Sequence, residues 1–152
     1  MSKNDLVALV HALLGTAAVI ASIMSKGQFG IEEQPVKTIG FAAFVLGALL
    51  FAYAVSFLRK AFMGNVDPVG EALVTTGLYR LVRHPVYLAT LVMCVGLAIG
   101  LRSLLGLALT AFGFLPAAVY RARLEEQALE AKYGEEWRVY RDRTWFFFPG
   151  IY

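Results

Sequence analysis

Pro85-Val-Tyr-Leu-Ala-Thr-Leu-Val-Met-Cys-Val-Gly-Leu-Ala-Ile-Gly-Leu101, then Arg102-Ser103, then Leu104-Leu-Gly-Leu-Ala-Leu-Thr-Ala-Phe-Gly-Phe-Leu-Pro-Ala-Ala-Val-Tyr120 is a pair of apolar runs with a two-residue break. At a helical rise of about 1.5 Å per residue, each comes close to crossing a hydrocarbon core of about 30 Å. A break this short makes them a tight antiparallel hairpin or a strongly tilted pair. Working outward, Leu6–Met24 and Thr38–Leu58 are two longer runs of the same kind. The chain therefore reads as a single domain over residues 1–152, an all-α integral membrane bundle. Four transmembrane helices are expected at 6–24, 38–58, 86–101 and 103–120, with an interfacial helical segment at the C-terminal end. Composition agrees: of 152 residues 59% are hydrophobic and only 16% charged, far too little charge for a soluble domain of this size.

The first run is longer than the apolar core of a signal peptide and is expected to stay as a helix. Basic residues then orient the bundle. Lys3, the loop residues Arg59, Lys60, Arg80 and Arg83, and the tail residues Arg121, Arg123, Lys132, Arg138, Arg141 and Arg143 make eleven on one side, against Lys26, Lys37 and Arg102 on the other. Positive charge is retained in the cytoplasm, so both termini and the loop from Arg59 to Pro85 are expected there. The net charge of +3 suits a surface facing anionic lipid. No stripe of basic residues with exposed aromatics marks a nucleic-acid site.

Cys94 is the only cysteine and lies inside the third run, which excludes a disulfide framework and favours a small core hydrophobe. No metal site is expected. His11 is the other ionisable group well inside a span, one or two turns from the cytoplasmic end, where an imidazole bonding a backbone carbonyl or a headgroup is the plainer role. Ala43 with Gly47, and Gly96 with Gly100, have the spacing that lets helix backbones approach closely in lipid. Pro116 removes a backbone bond from the fourth helix and is expected to kink it.

Past Tyr120 the strong helix formers of Arg121–Lys132 carry the helix into water, and Lys132 with Gly134 marks its stop. Trp137, Tyr140 and the run Thr144-Trp145-Phe146-Phe147-Phe148-Pro149 read as aromatics anchored in the interface, with a lid as the lesser role for Trp145–Phe148.

Two polar elements fall on one edge of this bundle. In Gly77-Leu-Tyr-Arg-Leu-Val-Arg83-His84-Pro85-Val-Tyr87, Pro85 takes the favoured first helical position, so His84 sits near an N-cap. The free N–H groups of that helix start, beside Arg80 and Arg83, suit a carboxylate. Arg121 and Glu125 share a helical face, with Glu126 next to them. Basic donors on one helix and carboxylates on another suit a zwitterion; an ordinary surface ion pair is the plainer alternative.

The joint pattern resembles the isoprenylcysteine carboxyl methyltransferase family of membrane enzymes. The matching residues are Gly77-x-Tyr79-Arg80-x-Val82-Arg83-His84-Pro85-x-Tyr87, then Arg121-x-x-x-Glu125-Glu126-x-x-Leu129, then Tyr133-Gly134-x-x-Trp137-x-x-Tyr140. The resemblance implies a helical methyltransferase that takes S-adenosylmethionine at its cytoplasmic face and a lipophilic acceptor from the bilayer. It places Arg83, His84, Tyr87, Glu125 and Glu126 in the cofactor pocket, with Tyr79 as a weaker member, and Arg121 near the reacting centre; Glu125 and Glu126 also look like the glutamate pair of the related phospholipid N-methyltransferases. Better-known members are larger, so prenylcysteine is not assumed as acceptor; a carboxylate, a thiol and a lipid amine all remain open. An acceptor that carries a proton needs a base, for which Glu125 is the candidate. A nicotinamide-dependent membrane reductase and a non-catalytic lipid-binding protein are the alternatives.

Overall fold

The computed structural model describes residues 3–28, 30, 33–58, 72–148 and 150. Arg59 and Lys60, counted above with the cytoplasmic charges, lie outside them. Helix α1 is Lys3–Met24, α2 is Glu33–Leu58 and α3 is Pro85–Gly100; a 3-10 turn, Gly77–Arg80, leads into α3. After the hairpin, α4 (Leu104–Leu109), a π-turn (Thr110–Phe114) and α5 (Leu115–Tyr133) follow without a break, and α6 (Glu135–Asp142) comes after them.

The chain is an all-α bundle of membrane type, in which the length criterion for crossing does not extend to all four expected spans. Among the described residues, three helices are long and apolar enough to cross a membrane: Asp5–Met24, Glu33–Leu58 and Leu104–Tyr133. Helix α3 is apolar but has only 16 residues, about 24 Å of rise against a hydrocarbon core of about 30 Å. Its ends explain the length. Pro85 opens a helix but disfavours helical backbone in the residue before it. At the other end Arg102 adopts a left-handed φ of 58°, which turns the chain back.

Helix α3 is held against α2 through glycines. A Cβ on Gly96 would lie 2.5 Å from the backbone nitrogen of Phe44 and 2.8 Å from the carbonyl oxygen of Gly40. One on Gly40 would strike the backbone of Gly100. Backbones this close gain dispersion contacts along their length, which matters in lipid because apolar burial gives little drive for association. The small-residue spacing of Gly96 and Gly100 therefore marks a real contact, with Gly40 as the partner that the sequence pattern passed over.

The tight hairpin after α3 is as expected. Ser103 caps α4 by accepting from the Gly106 N–H at 2.8 Å, and its hydroxyl lies 2.6 Å from that of Ser25 on the chain leaving α1. Gln28 Oε1 accepts from the N–H groups of Leu104 and Leu105, satisfying two donors that a helix start leaves open. This end of the bundle gathers Lys26, Lys37 and Arg102, and the Arg83 loop lies at the other.

Near Pro116 the helix changes hydrogen-bond register before the proline is reached: the Leu115 N–H donates to the Thr110 carbonyl, five residues back. The π-turn thus sits just ahead of the expected kink position. Its last residue, Phe114, is buried. Helix α5 ends at Gly134, whose φ of 56° turns the chain into α6, as the expected stop requires.

Four of the C-terminal aromatics differ from the expected anchors, while Phe148 remains exposed. Trp137, Tyr140, Phe146 and Phe147 are buried against their own chain. Val82 and Trp145 form a parallel bridge: the Arg83 N–H donates to the Trp145 carbonyl at 2.8 Å and the Trp145 N–H to the Leu81 carbonyl at 3.0 Å. The segment is thereby strapped across the loop that carries Arg83 and His84.

Candidate functional site

Arg83 is the central cation. Its side chain is only 3% exposed, and its Nε donates to Glu126 Oε1 at 2.6 Å. One Nη donates to the Arg141 carbonyl at 2.9 Å and also to the Thr144 carbonyl. A planar guanidinium suits this arrangement because its donors point in fixed, divergent directions. Arg80, by contrast, is exposed.

His84 occupies the N-cap position of α3, as the Pro85 spacing implies. Its Nε2 lies 3.2 Å from Glu126 Oε1 and its Nδ1 3.8 Å from Glu125 Oε2, so the ring stands between the two carboxylates. Phe146, Phe147 and Tyr87 surround it, with centroids 5.0, 5.8 and 5.7 Å away. Tyr87, on the first turn of α3, donates its hydroxyl to Glu125 Oε1 at 2.5 Å. The same oxygen is 3.3 Å from Arg121 Nε, and the Arg121 guanidinium lies over the Tyr87 ring at 5.8 Å.

Six of the residues singled out from the sequence, Arg83, His84, Tyr87, Arg121, Glu125 and Glu126, thus form one connected cluster between the start of α3 and the middle of α5. The two glutamates divide as consecutive helical residues must: Glu126 faces Arg83 and His84, while Glu125 faces Tyr87 and Arg121. Tyr79 stands apart from these bonds. It is buried, and its carbonyl accepts from the Tyr140 hydroxyl at 2.7 Å. Burial pushes both phenols above their usual range, which keeps Tyr140 a donor.

Four residues contribute that were not singled out for the site in the sequence. The carbonyls of Arg141 and Thr144 have no sequence signature. Arg123 stacks over the Phe146 ring at 5.0 Å. His11 reaches Tyr87 from α1, with ring centroids 5.3 Å apart; its signal was an ionisable side chain near one end of a span. Among the described residues, no group of three or more His, Cys, Asp or Glu side chains is placed to hold a metal ion.

An apolar bundle carrying a partly buried cluster of cations and carboxylates at one end is the architecture of a membrane protein with a polar site beside lipid. The sequence matches the phospholipid methyltransferase family over residues 36–136, more than half of the 152-residue chain. The chain belongs to that family of membrane methyltransferases, in keeping with the motif resemblance noted above. No curated protein gives a significant match.

Proposed function

We propose that the protein transfers a methyl group from S-adenosylmethionine to a lipophilic acceptor, with the reacting centre at the Arg121–Glu125–Tyr87 group. The observation that carries this reading is the joining of the two motifs, one from the α3 start and one from α5, into a single partly buried cluster in a chain of the phospholipid methyltransferase family. The alternatives of a reductase and a non-catalytic protein gain nothing from that family.

The donor set fits the cofactor. S-adenosylmethionine carries a carboxylate, an ammonium, ribose hydroxyls and a sulfonium; the cluster offers two guanidiniums, an imidazole and two carboxylates, walled by Tyr87, Phe146 and Phe147. Arg83, His84, Tyr87, Glu125 and Glu126 would hold it. Its sulfonium supplies an already activated methyl, so positioning the acceptor is the main task left to the protein.

Each side chain has a role in that task. Arg83, tied to two backbone carbonyls and Glu126, fixes the loop and so fixes His84. Glu126 anchors the imidazole through Nε2, leaving Nδ1 to face Glu125 and the pocket. Arg121 and Tyr87 orient Glu125, whose carboxylate accepts a proton from a thiol or ammonium acceptor. The strap from Thr144 to Phe147 keeps water away from these charges, which strengthens their mutual interactions. The cluster is proposed to face the cytoplasm, from the eleven-to-three split of basic residues.

The expected result is that S-adenosylhomocysteine binds the purified protein and that His84→Ala weakens it about 10- to 100-fold, the loss of one charge-assisted bond of about 1.5–3 kcal/mol. Titration calorimetry reads both numbers. Unchanged affinity in His84→Ala would remove this residue from the pocket, and no binding to the parent protein would overturn the reading.

A further inference from the structure

Beside the cluster, α1, α2, α3 and the π-turn leave a groove of about 400 Å³. That is within the range of small-molecule sites, about 300–1,000 Å³. Val19, Phe44, Met93 and Phe114 give it apolar walls. The hydroxyls of Thr16 and Thr90 also line it, but each bonds back to its own helix, at the carbonyls of Ala12 and Val86. One polar atom is different. His11 Nε2 is buried and has no hydrogen-bond partner, a state that costs about 1–3 kcal/mol unless something fills it. Water is a poor candidate, because a held water needs two to four polar partners and these walls offer few.

The groove also has a direction. His11 packs edge-on against Tyr87, at 5.3 Å, and Tyr87 donates to Glu125. A chain lying among Val19, Phe44 and Met93 with its head at His11 ends one side chain away from the carboxylate and Arg121.

We infer that this groove takes the hydrocarbon chain of the methyl acceptor and that His11 Nε2 bonds its polar head, an uncharged amine able both to donate and to accept, which a hydroxyl mimics. Such a head satisfies the imidazole in either tautomer. His11 lies in α1, outside the segment that matches the family, so the contact does not follow from that match. The identity of the occupant as acceptor rests on the methyltransferase reading above; the groove and its orphan nitrogen do not.

The test uses 1-dodecanol, with dodecane as the same chain lacking a head. Thr16 is exposed and lines the groove, so Thr16→Cys in a Cys94→Ala background reports occupancy through its rate of alkylation by N-ethylmaleimide in amphipol. Dodecanol is expected to slow alkylation about 3- to 10-fold more effectively than dodecane, the contribution of one hydrogen bond. His11→Ala is expected to bring the two to parity, and His11→Gln to restore part of the difference. Equal protection by dodecanol and dodecane in the parent, a difference that survives His11→Ala, or protection by neither would overturn the inference. S-adenosylhomocysteine binding to the same preparations is read separately. Binding without protection sinks this inference alone, whereas protection without binding leaves the groove standing and removes the methyltransferase reading.

Discussion

Arg83→Ala is expected to lower the stability of the protein by about 3–5 kcal/mol, because it strands a buried carboxylate. Arg83 bonds Glu126 and the carbonyls of Arg141 and Thr144, with 3% of its side chain exposed. Truncation leaves all three acceptors short of a donor and loosens the strap over the α3 start. Arg83→Lys keeps the charge but loses the fork, and should recover less than half of the loss. A double change, Arg83→Met with Glu126→Leu, removes both charges together and should regain most of the stability, since a buried pair replaced by apolar groups costs little. It should not regain S-adenosylhomocysteine binding. Equilibrium unfolding in mixed micelles checks the stabilities. A loss below about 1 kcal/mol in Arg83→Ala would mean that this pair behaves as an exposed one.

The largest kinetic effect is expected at Arg121. Its Nε lies 3.3 Å from Glu125 Oε1 and its guanidinium covers the Tyr87 ring, so its removal frees two groups of the proposed reacting centre at once. Arg121→Ala should lower kcat about 100-fold at saturating cofactor, the size of effect that a small misplacement of reacting groups produces. Glu126→Gln, on the other face, should act mainly on the KM for the cofactor. The split distinguishes a transition-state role from mere binding. An Arg121→Ala enzyme with normal kcat would return Arg121 and Glu125 to the status of an i,i+4 pair contributing about 0.3–0.5 kcal/mol.

The apolar runs and their boundaries were legible in the sequence, because a bilayer demands long uninterrupted helices and Pro85, Ser103 and Gly134 punctuate them locally. The length of α3 was the weak point. Its run of 86–101 is apolar throughout, and hydropathy alone does not show that a helix of only 16 residues is pressed onto α2 through Gly40 and Gly96. The six-residue cluster was also legible, since Arg83 and His84 fall on the same edge of the bundle as Arg121, Glu125 and Glu126, and the motif resemblance adds Tyr87. The strap was not. Phe146 and Phe147 have the composition of interface anchors, and only the pairing of Trp145 with Leu81 and Arg83 shows that they face inward. His11 was visible as an ionisable residue within a span, but its approach to Tyr87 depends on how α1 packs on α3, a long-range contact that no local pattern encodes.

Transfer of an isotopically labelled methyl group is the most direct test of the central claim. The purified protein, reconstituted in vesicles made from a total lipid extract, would be incubated with S-adenosylmethionine bearing a trideuterated methyl, and the lipid fraction read by mass spectrometry. The expected result is a lipophilic product heavier by one trideuteromethyl group, formed by the parent protein and reduced about 100-fold with Arg121→Ala. Label that never enters the lipid fraction, in a preparation that is folded and binds S-adenosylhomocysteine, would contradict it.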